Sequence, residues 1–262
     1  MSHSIRPLRI GTSDRELFAV AYVPAAQAAL RGGVLMCPPF FHEHFLGYRL
    51  MSQVAARLAA QGWLCLRLDY FGSGDSAGAD EAFTLAGATA DARTALQELR
   101  GLVGAGRPVL ALGVRAGIWP ALGAADAGVA RACLWQPLAN GAAWLEQLQA
   151  MDAHERASRQ RYPHLRAGSR AAVADRLLGS SVDAALRAEL AAQRGIEPPH
   201  AIPFDVVDAA ADGTAAVGRR VELPPALAGW ESELTIRNVF PARDVGAVVE
   251  RLTAAWPGSP AA

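Results

Sequence analysis

Residues 113–117 read GVRAG and form a turn of the kind that carries a catalytic nucleophile, but with an arginine at its centre. The turn lies between an apolar run that predicts a strand and a segment that predicts a helix. Such a turn exposes its central side chain at the edge of a sheet, where a serine could attack a carbonyl. A guanidinium stays protonated at physiological pH and has no lone pair available for attack. Arg115 therefore cannot be a nucleophile.

The histidine that such a nucleophile requires is also missing from its expected place near the end of the chain. In enzymes whose nucleophile lies on such a turn, the acid follows the nucleophile along the chain, and the histidine follows the acid. Acids are present after the middle of the chain, at Asp205, Asp208 and Asp212. The six histidines all precede the last predicted strands: His3, His42, His44, His154, His164 and His200. Losing a nucleophile costs about a million-fold in rate, so serine hydrolase activity is not expected.

A second group of reactive side chains, His42, Glu43 and His44, follows the apolar run 32–40. With Asp208 as a further candidate, it could support hydrolysis or acyl transfer through a water molecule. Two histidines at this spacing in a predicted loop, without a distant third ligand, are weak grounds for a metal site. Hydrogen-bonded residues at a pocket mouth are the simpler interpretation, and no metal or cofactor is expected.

Arg115 has two roles open to it. At the start of a helix it could clamp the carboxylate, phosphate or sulfate of a ligand. Alternatively, an internal carboxylate, Glu43 or Asp69, could neutralise it, because an unpaired buried guanidinium is costly. If a ligand binds, the expected contacts are Phe41, His42, Glu43, Val114, Arg115 and Ala116.

Alternation of apolar runs with helical periodicity predicts an α/β fold with a mostly parallel sheet and helices on both faces. Strands are predicted at 5–10, 16–23, 32–40, 63–70, 107–114, 131–138, 202–208 and 219–224. Helices are predicted from about residue 50 to Gly62 and at 84–102, 116–127 and about 243–256. Residues 140–195 show helical patterns only. The predicted organisation is a core at 1–139, a helical lid at 140–200 and the rest of the core at 201–262.

The stretch LDYFGSGDSAG, residues 68–78, resembles the D-x-x-G-x-G-x-S-x-G loop of α/β-hydrolases. Asp69, Gly72, Gly74, Ser76 and Gly78 carry the resemblance. The glycines allow a sharp turn below the sheet edge, and the aspartate can accept backbone N–H hydrogen bonds. The serine is predicted to serve turn hydrogen bonding rather than catalysis.

Together with CPPFFHEH, GVRAG and LWQPLANGAAWLEQLQ, this loop is similar to a serine-aminopeptidase-like branch of bacterial α/β-hydrolases. The branch includes hydrolase-like proteins associated with exosortase and exopolysaccharide gene clusters, many with G-[LV]-R-x-G at the elbow. The similarity runs from about residue 30 to 195. The resemblance implies the α/β-hydrolase fold with a lid, and it is consistent with a pseudoenzyme. A fold by itself does not determine an activity.

Composition narrows the classes of partner. The 262 residues carry 25 basic and 25 acidic side chains. The chain therefore has no net charge that would favour binding to nucleic acid or to an anionic membrane. The N-terminal stretch lacks the apolar core of a secretory signal, and the most apolar region, 109–135, is interrupted by charges and proline. Three cysteines in predicted strands, Cys37, Cys65 and Cys133, are expected to be reduced core thiols. A cytoplasmic protein without a transmembrane segment is expected.

Three functional hypotheses follow. The first is a non-catalytic or divergent hydrolase-like protein that binds a small anionic or acyl ligand, or a partner protein. The second is an active hydrolase or acyl transferase with a non-standard site around His42, Glu43 and His44. The third is a purely structural subunit of an assembly. A homodimer is left open.

Overall fold

The sheet and its helices are seen in a computed structural model that describes residues 3–158, 172–195, 202–209, 218–230 and 240–257. The strands are β1 (His3–Thr12), β2 (Arg15–Pro24), β3 (Gly32–Cys37), β4 (Trp63–Leu68), β5 (Val109–Val114), β6 (Arg131–Trp135), β7 (Arg176–Leu177), β8 (Ser180–Ser181), β9 (Phe204–Asp208) and β10 (Arg219–Glu222). The helices are α1 (Phe41–Ala60), α2 (Leu85–Val103), α3 (Ile118–Gly123), α4 (Gly141–Ala157), α5 (Ala184–Ala191) and α6 (Ala242–Thr253).

Eight strands form one sheet in the order β1-β2-β4-β3-β5-β6-β9-β10. The β1–β2 and β2–β4 pairs are antiparallel, and all other neighbours are parallel. Every residue of β3, β4 and β5 is buried, as expected for parallel strands covered on both faces. The carboxyl ends of β3, β4, β5 and β6 therefore share one edge, which is where ligands bind in open α/β sheets. The predicted fold class is confirmed.

Alternate residues of the central strands feed two separate cores. Leu35 and Cys37 of β3 belong to a core with α2 and α3, whereas Val34 and Met36 belong to a core with α1 and α6. This alternation follows from the two-residue period of a strand. It places α1 and α2 on opposite sides of the sheet, with their first turns at the same edge.

The structure corrects three expectations. Helix α1 begins at Phe41, so the residues expected in a loop lie in its first turn. Residues 176–181 form a small β7–β8 hairpin instead of a helix, because Leu178 and Gly179 turn the chain at positive φ. The predicted single helix 116–127 is split into α3 and two short 3₁₀ turns. That the predicted lid segment, 140–200, acts as a lid stays a prediction.

All three cysteines are free and buried in strands, as predicted. Burial raises the pKa of Cys37 to about 12 and raises the pKa values of Cys65 and Cys133 above the ordinary value. Each helix in the described ranges is too short or too polar to span a bilayer.

These thiols should be inert in the folded protein. Because the thiolate is the reactive form, we expect negligible reaction of the native protein with Ellman's reagent near pH 8. After denaturation, three thiols per chain should react. Rapid reaction of any thiol in the native protein would contradict their assignment to the core.

Candidate functional site

The turn after β5 keeps the geometry of a nucleophile elbow although it carries no nucleophile. Arg115 has a φ of 53°, a conformation that costs a non-glycine residue on the order of 1–3 kcal/mol. A Cβ on Gly117 would lie 2.3 Å from the carbonyl oxygen of Cys37, and one on Gly113 would lie 2.6 Å from the carbonyl oxygen of Gly117. Both glycines are therefore required for the close approach of β5, the turn and β3.

The guanidinium of Arg115 is neutralised inside the protein by Glu43. Its Nη2 and Nε lie 2.8 Å and 3.2 Å from Oε1 of Glu43, a residue that is only 3% exposed. The indole Nε1 of Trp144 donates to the same oxygen at 3.2 Å. The ring of Trp230 lies 5.8 Å from the guanidinium carbon. Of the two roles open to Arg115, the structure shows the internal pair, and it selects Glu43 rather than Asp69.

Aromatic rings fill the space around this pair. The ring of Phe41 stacks on Trp144 at 6.0 Å and 13°, and Trp119 meets Trp144 edge-on at 5.7 Å. The ring of Phe40 lies at similar centroid distances from four other rings, those of Phe41, Phe83, Trp119 and Trp144. Protein side chains therefore surround the Arg115–Glu43 pair at the elbow.

A cavity of about 830 Å³ opens beside the elbow, between the start of α1 and the loop after β4. Its lining contains three phenylalanines, one tyrosine, three glycines and seven polar or charged residues. The lining residues are Phe41, His44, Phe45, Tyr48, Arg49, Asp69, Gly72, Ser73, Gly74, Asp75, Gly78, Asp80, Phe83 and Ser180. Arg115 and Glu43 are not among them, so the cavity and the ion pair are separate features of the same sheet edge.

The loop after β4 is held by hydrogen bonds to Asp69 and Ser76. The Asp75 amide donates to Oδ2 of Asp69 at 3.0 Å, as the sequence predicted for this carboxylate. The Ser76 hydroxyl donates to the Asp69 carbonyl at 2.6 Å and accepts from the Phe18 amide at 2.8 Å. The predicted turn role of Ser76 is confirmed.

His44 lies between two polar groups of this loop. Its Nδ1 is 3.2 Å from the Ser73 hydroxyl, and its Nε2 is 3.5 Å from Oδ1 of Asp69. Burial alone would raise the pKa of Asp69. The hydrogen bond and charge of His44, the Asp75 amide and the charge of Arg67 outweigh burial and hold this pKa below its ordinary value. The carboxylate is therefore ionised near neutral pH.

The predicted site residues are divided between these features. Of the six expected ligand contacts, Phe41 lines the cavity, whereas His42, Glu43, Val114, Arg115 and Ala116 do not. Glu43 and His44 point to different environments because successive helical residues differ by about 100° around the axis. His42 is buried, and no group of three or more potential metal ligands occurs among the described residues.

The candidate acid Asp208 ends β9, where its carboxylate accepts a hydrogen bond of 2.7 Å from the Ala209 amide. Asp208 is not part of the cavity lining. Asp212, His164 and His200 lie outside the described residues.

Among the polar residues of the cavity, the sequence analysis missed Ser73 and Arg49, and it also missed the exposed ring of Phe45. The available signal for Ser73 was its place between two glycines directly after a predicted strand. No sequence signal distinguishes Phe45 and Arg49 from other residues on an amphipathic helix.

Comparison with solved structures shows the fold of this chain. A hypothetical protein from Pseudomonas aeruginosa aligns over 95% of this chain and 94% of its own, with a TM-score of 0.58 and 14% identity. An esterase from Pyrococcus furiosus aligns over 79% of this chain and 70% of its own, with a TM-score of 0.50 and 14% identity. The chain has the α/β-hydrolase fold.

An α/β serine hydrolase from Xanthomonas campestris aligns over 50% of this chain, with a TM-score of 0.44 and 18% identity. The match covers 61% of that hydrolase, less than two thirds of its length. No protein-family model matches the chain, and no curated protein matches it in sequence.

The Arg115–Glu43 pair should be important for stability. Glu43→Gln leaves a guanidinium that is 15% exposed without its carboxylate. We expect a loss toward the lower end of the roughly 3–5 kcal/mol typical of a broken buried pair, because the amide oxygen still accepts. Urea unfolding measures the change. Glu146→Gln, on the exposed face of α4, is the control and should change stability by no more than about 0.5 kcal/mol. A similar value for both variants would contradict the prediction.

The Asp69 carboxylate should make stability depend on pH. Its pKa in the folded state lies below the ordinary 3.8, so its contribution is present above that pH and is lost as pH falls through the folded-state pKa. We expect Asp69→Asn to lose roughly 1–3 kcal/mol near neutral pH, with the difference from wild type shrinking in acid. Urea unfolding of both proteins, from neutral pH down through the folded-state pKa of Asp69, tests this expectation. A difference that stays constant into acid would contradict the assigned charge.

Proposed function

We propose that this chain is a divergent hydrolase-like protein that binds a small acyl compound in the cavity beside the elbow, and that the elbow itself has no catalytic role. The supporting observation is the Arg115–Glu43 pair. It places a permanent cation at the nucleophile position and satisfies that cation within the protein. Together with the surrounding rings, it leaves the neighbouring cavity as the site where a ligand can enter.

The size and lining of the cavity favour a small amphipathic ligand. Its 830 Å³ falls within the range of about 300–1,000 Å³ usual for small-molecule sites. Phe41, Phe45 and Phe83 supply apolar surface for an acyl chain. His44 and Ser73 supply hydrogen-bonding groups for its carbonyl end.

The charges in the lining favour a neutral acyl compound over an anion. The charge of Arg67 acts on Asp69, and Asp80 is paired with Arg176 at 3.0 Å. Of the remaining charged side chains in the lining, Arg49 is positive and Asp75 is negative. These two charges balance, so the cavity has little net attraction for a carboxylate or phosphate.

The second hypothesis, a site built from His42, Glu43 and His44 together, receives less support. Glu43 is engaged by Arg115 and Trp144, and only His44 reaches the cavity. A cytoplasmic location, a link to exosortase or exopolysaccharide genes, a partner protein and a homodimer stay predictions.

Octanamide is a suitable test ligand because it presents a neutral acyl group and an eight-carbon chain. We expect a Kd of about 1 mM or tighter by calorimetry, and weaker binding of octanoate. Phe45 is 80% exposed at the cavity, so Phe45→Ala should weaken octanamide binding about three- to tenfold without altering the fold.

Leu102→Ala removes an apolar side chain of α2 that is 40% exposed and lies outside the cavity lining, and it should leave binding unchanged. Octanamide binding that is absent, or equally affected by both variants, would contradict the proposed site. Tighter binding of octanoate would favour the anionic ligand instead.

A further inference from the structure

Ser73, His44 and Asp69 form a hydroxyl–imidazole–carboxylate series on the cavity wall. The two contacts measure 3.2 Å and 3.5 Å, and all three residues line the cavity. The series is separate from the elbow, because Ser73 follows β4 and Arg115 follows β5. A serine hydroxyl hydrogen-bonded to an imidazole that a carboxylate orients is the arrangement that activates a nucleophile.

Each member of the series is held in place by backbone structure. His44 lies in the first turn of α1, where its amide donates to the Phe40 carbonyl at 3.3 Å. The Ser73 amide donates to the Tyr70 carbonyl at 2.9 Å, and the Ser73 carbonyl accepts from the Ser76 amide at 3.2 Å. These bonds fix the backbone on both sides of the serine side chain.

Asp69 is fixed just as firmly. A Cβ on Gly74 would lie 2.3 Å from its Oδ2, so the loop packs against the carboxylate at a position that requires glycine. The positive φ of Gly74, 59°, permits this approach. The carboxylate and the hydroxyl are therefore preorganised on either side of one imidazole.

We propose that Ser73 is an acyl-accepting nucleophile, with His44 as its general base and Asp69 as the residue that positions the imidazole and stabilises its charged form. The proposal rests on acyl binding in the cavity, and it identifies the substrate class as small neutral esters or thioesters with an apolar acyl chain. The roles of the two imidazole nitrogens follow from the contacts, with Nδ1 toward the serine and Nε2 toward the aspartate.

The chemical step balances within the site and water. Oγ of Ser73 forms a bond to the carbonyl carbon while its proton moves to Nδ1 of His44. The bond from that carbon to the leaving oxygen or sulfur then breaks, and the leaving group takes the proton from His44. Water, activated by the same imidazole, releases the acyl group as a carboxylic acid and restores the hydroxyl.

The surroundings can accommodate the charge that develops on the carbonyl oxygen. The backbone amide after a nucleophile commonly contributes to the oxyanion hole, and Gly74, which follows Ser73, lines the cavity. Arg49 places a guanidinium on the same wall. Phe41, Phe45 and Phe83 offer the apolar surface on which the acyl chain would lie.

The experiment is to incubate the full chain with an alkyl fluorophosphonate and locate the adduct by intact-mass and peptide mass spectrometry. In this reaction the serine oxygen bonds to phosphorus and fluoride leaves. We expect one adduct, on Ser73, in the wild-type protein. Ser73→Ala should abolish it. Ser4→Ala, which removes an exposed serine of β1 outside the cavity lining, should retain it.

Two further variants separate chemistry from binding. His44→Gln should slow labelling by about 100-fold or more, in line with the loss of a general base. Asp69→Asn should slow it at least about tenfold while octanamide binding is retained, a division that a purely structural role would not produce.

Octanamide binding without any adduct in the wild-type protein would overturn this inference and leave the proposed ligand site intact. An adduct on another residue, or labelling unaffected by His44→Gln, would also overturn it. Absence of both binding and labelling would overturn the ligand site as well. Because the adduct is mapped on the wild-type chain, the result does not depend on the folding of any variant.

Discussion

One carboxylate oxygen, Oε1 of Glu43, connects three parts of this protein. It accepts hydrogen bonds from Arg115 in the turn after β5 and from Trp144 of α4, while Glu43 itself belongs to the first turn of α1. A guanidinium placed among aromatic rings at the sheet edge requires a counter-charge, because a buried unpaired ion is costly. The position of α1 and the packing of α4 against the elbow both depend on this requirement.

The ion pair also explains why a strained turn persists without a nucleophile. Phe41, Arg115 and Gln136 all have positive φ, and each follows one of the neighbouring strands β3, β5 and β6. Such conformations persist only where the surroundings determine them strongly. Here the surroundings are the Glu43 contacts, the stacked rings and the Gln136–Trp230 hydrogen bond of 2.6 Å. Packing contacts thus hold the elbow geometry, and the open space lies further along the sheet, at the start of α1 after β3 and at the loop after β4.

A parallel sheet offers more than one place for chemistry, because the ends of several strands and the starts of the following helices meet at one edge. In this chain the end of β5 is closed by an internal ion pair. The end of β4 and the start of α1 instead enclose the cavity that holds Ser73, His44 and Asp69. The arginine at the elbow therefore says little about the loop after β4, where a hydroxyl and an imidazole are in contact.

By itself the sequence determined the local features: the parallel strands from their apolar runs, the elbow from its glycines, the buried thiols, and the turn role of Ser76. Each of these features can be recognised from residues close together in the chain. Tertiary structure decided that Glu43, 72 residues away, pairs with Arg115, and that Asp69 instead faces His44. It also separated Glu43 from His44 and brought Ser73 to the cavity. Such contacts depend on where α1 begins and on how it packs, which no local pattern specifies.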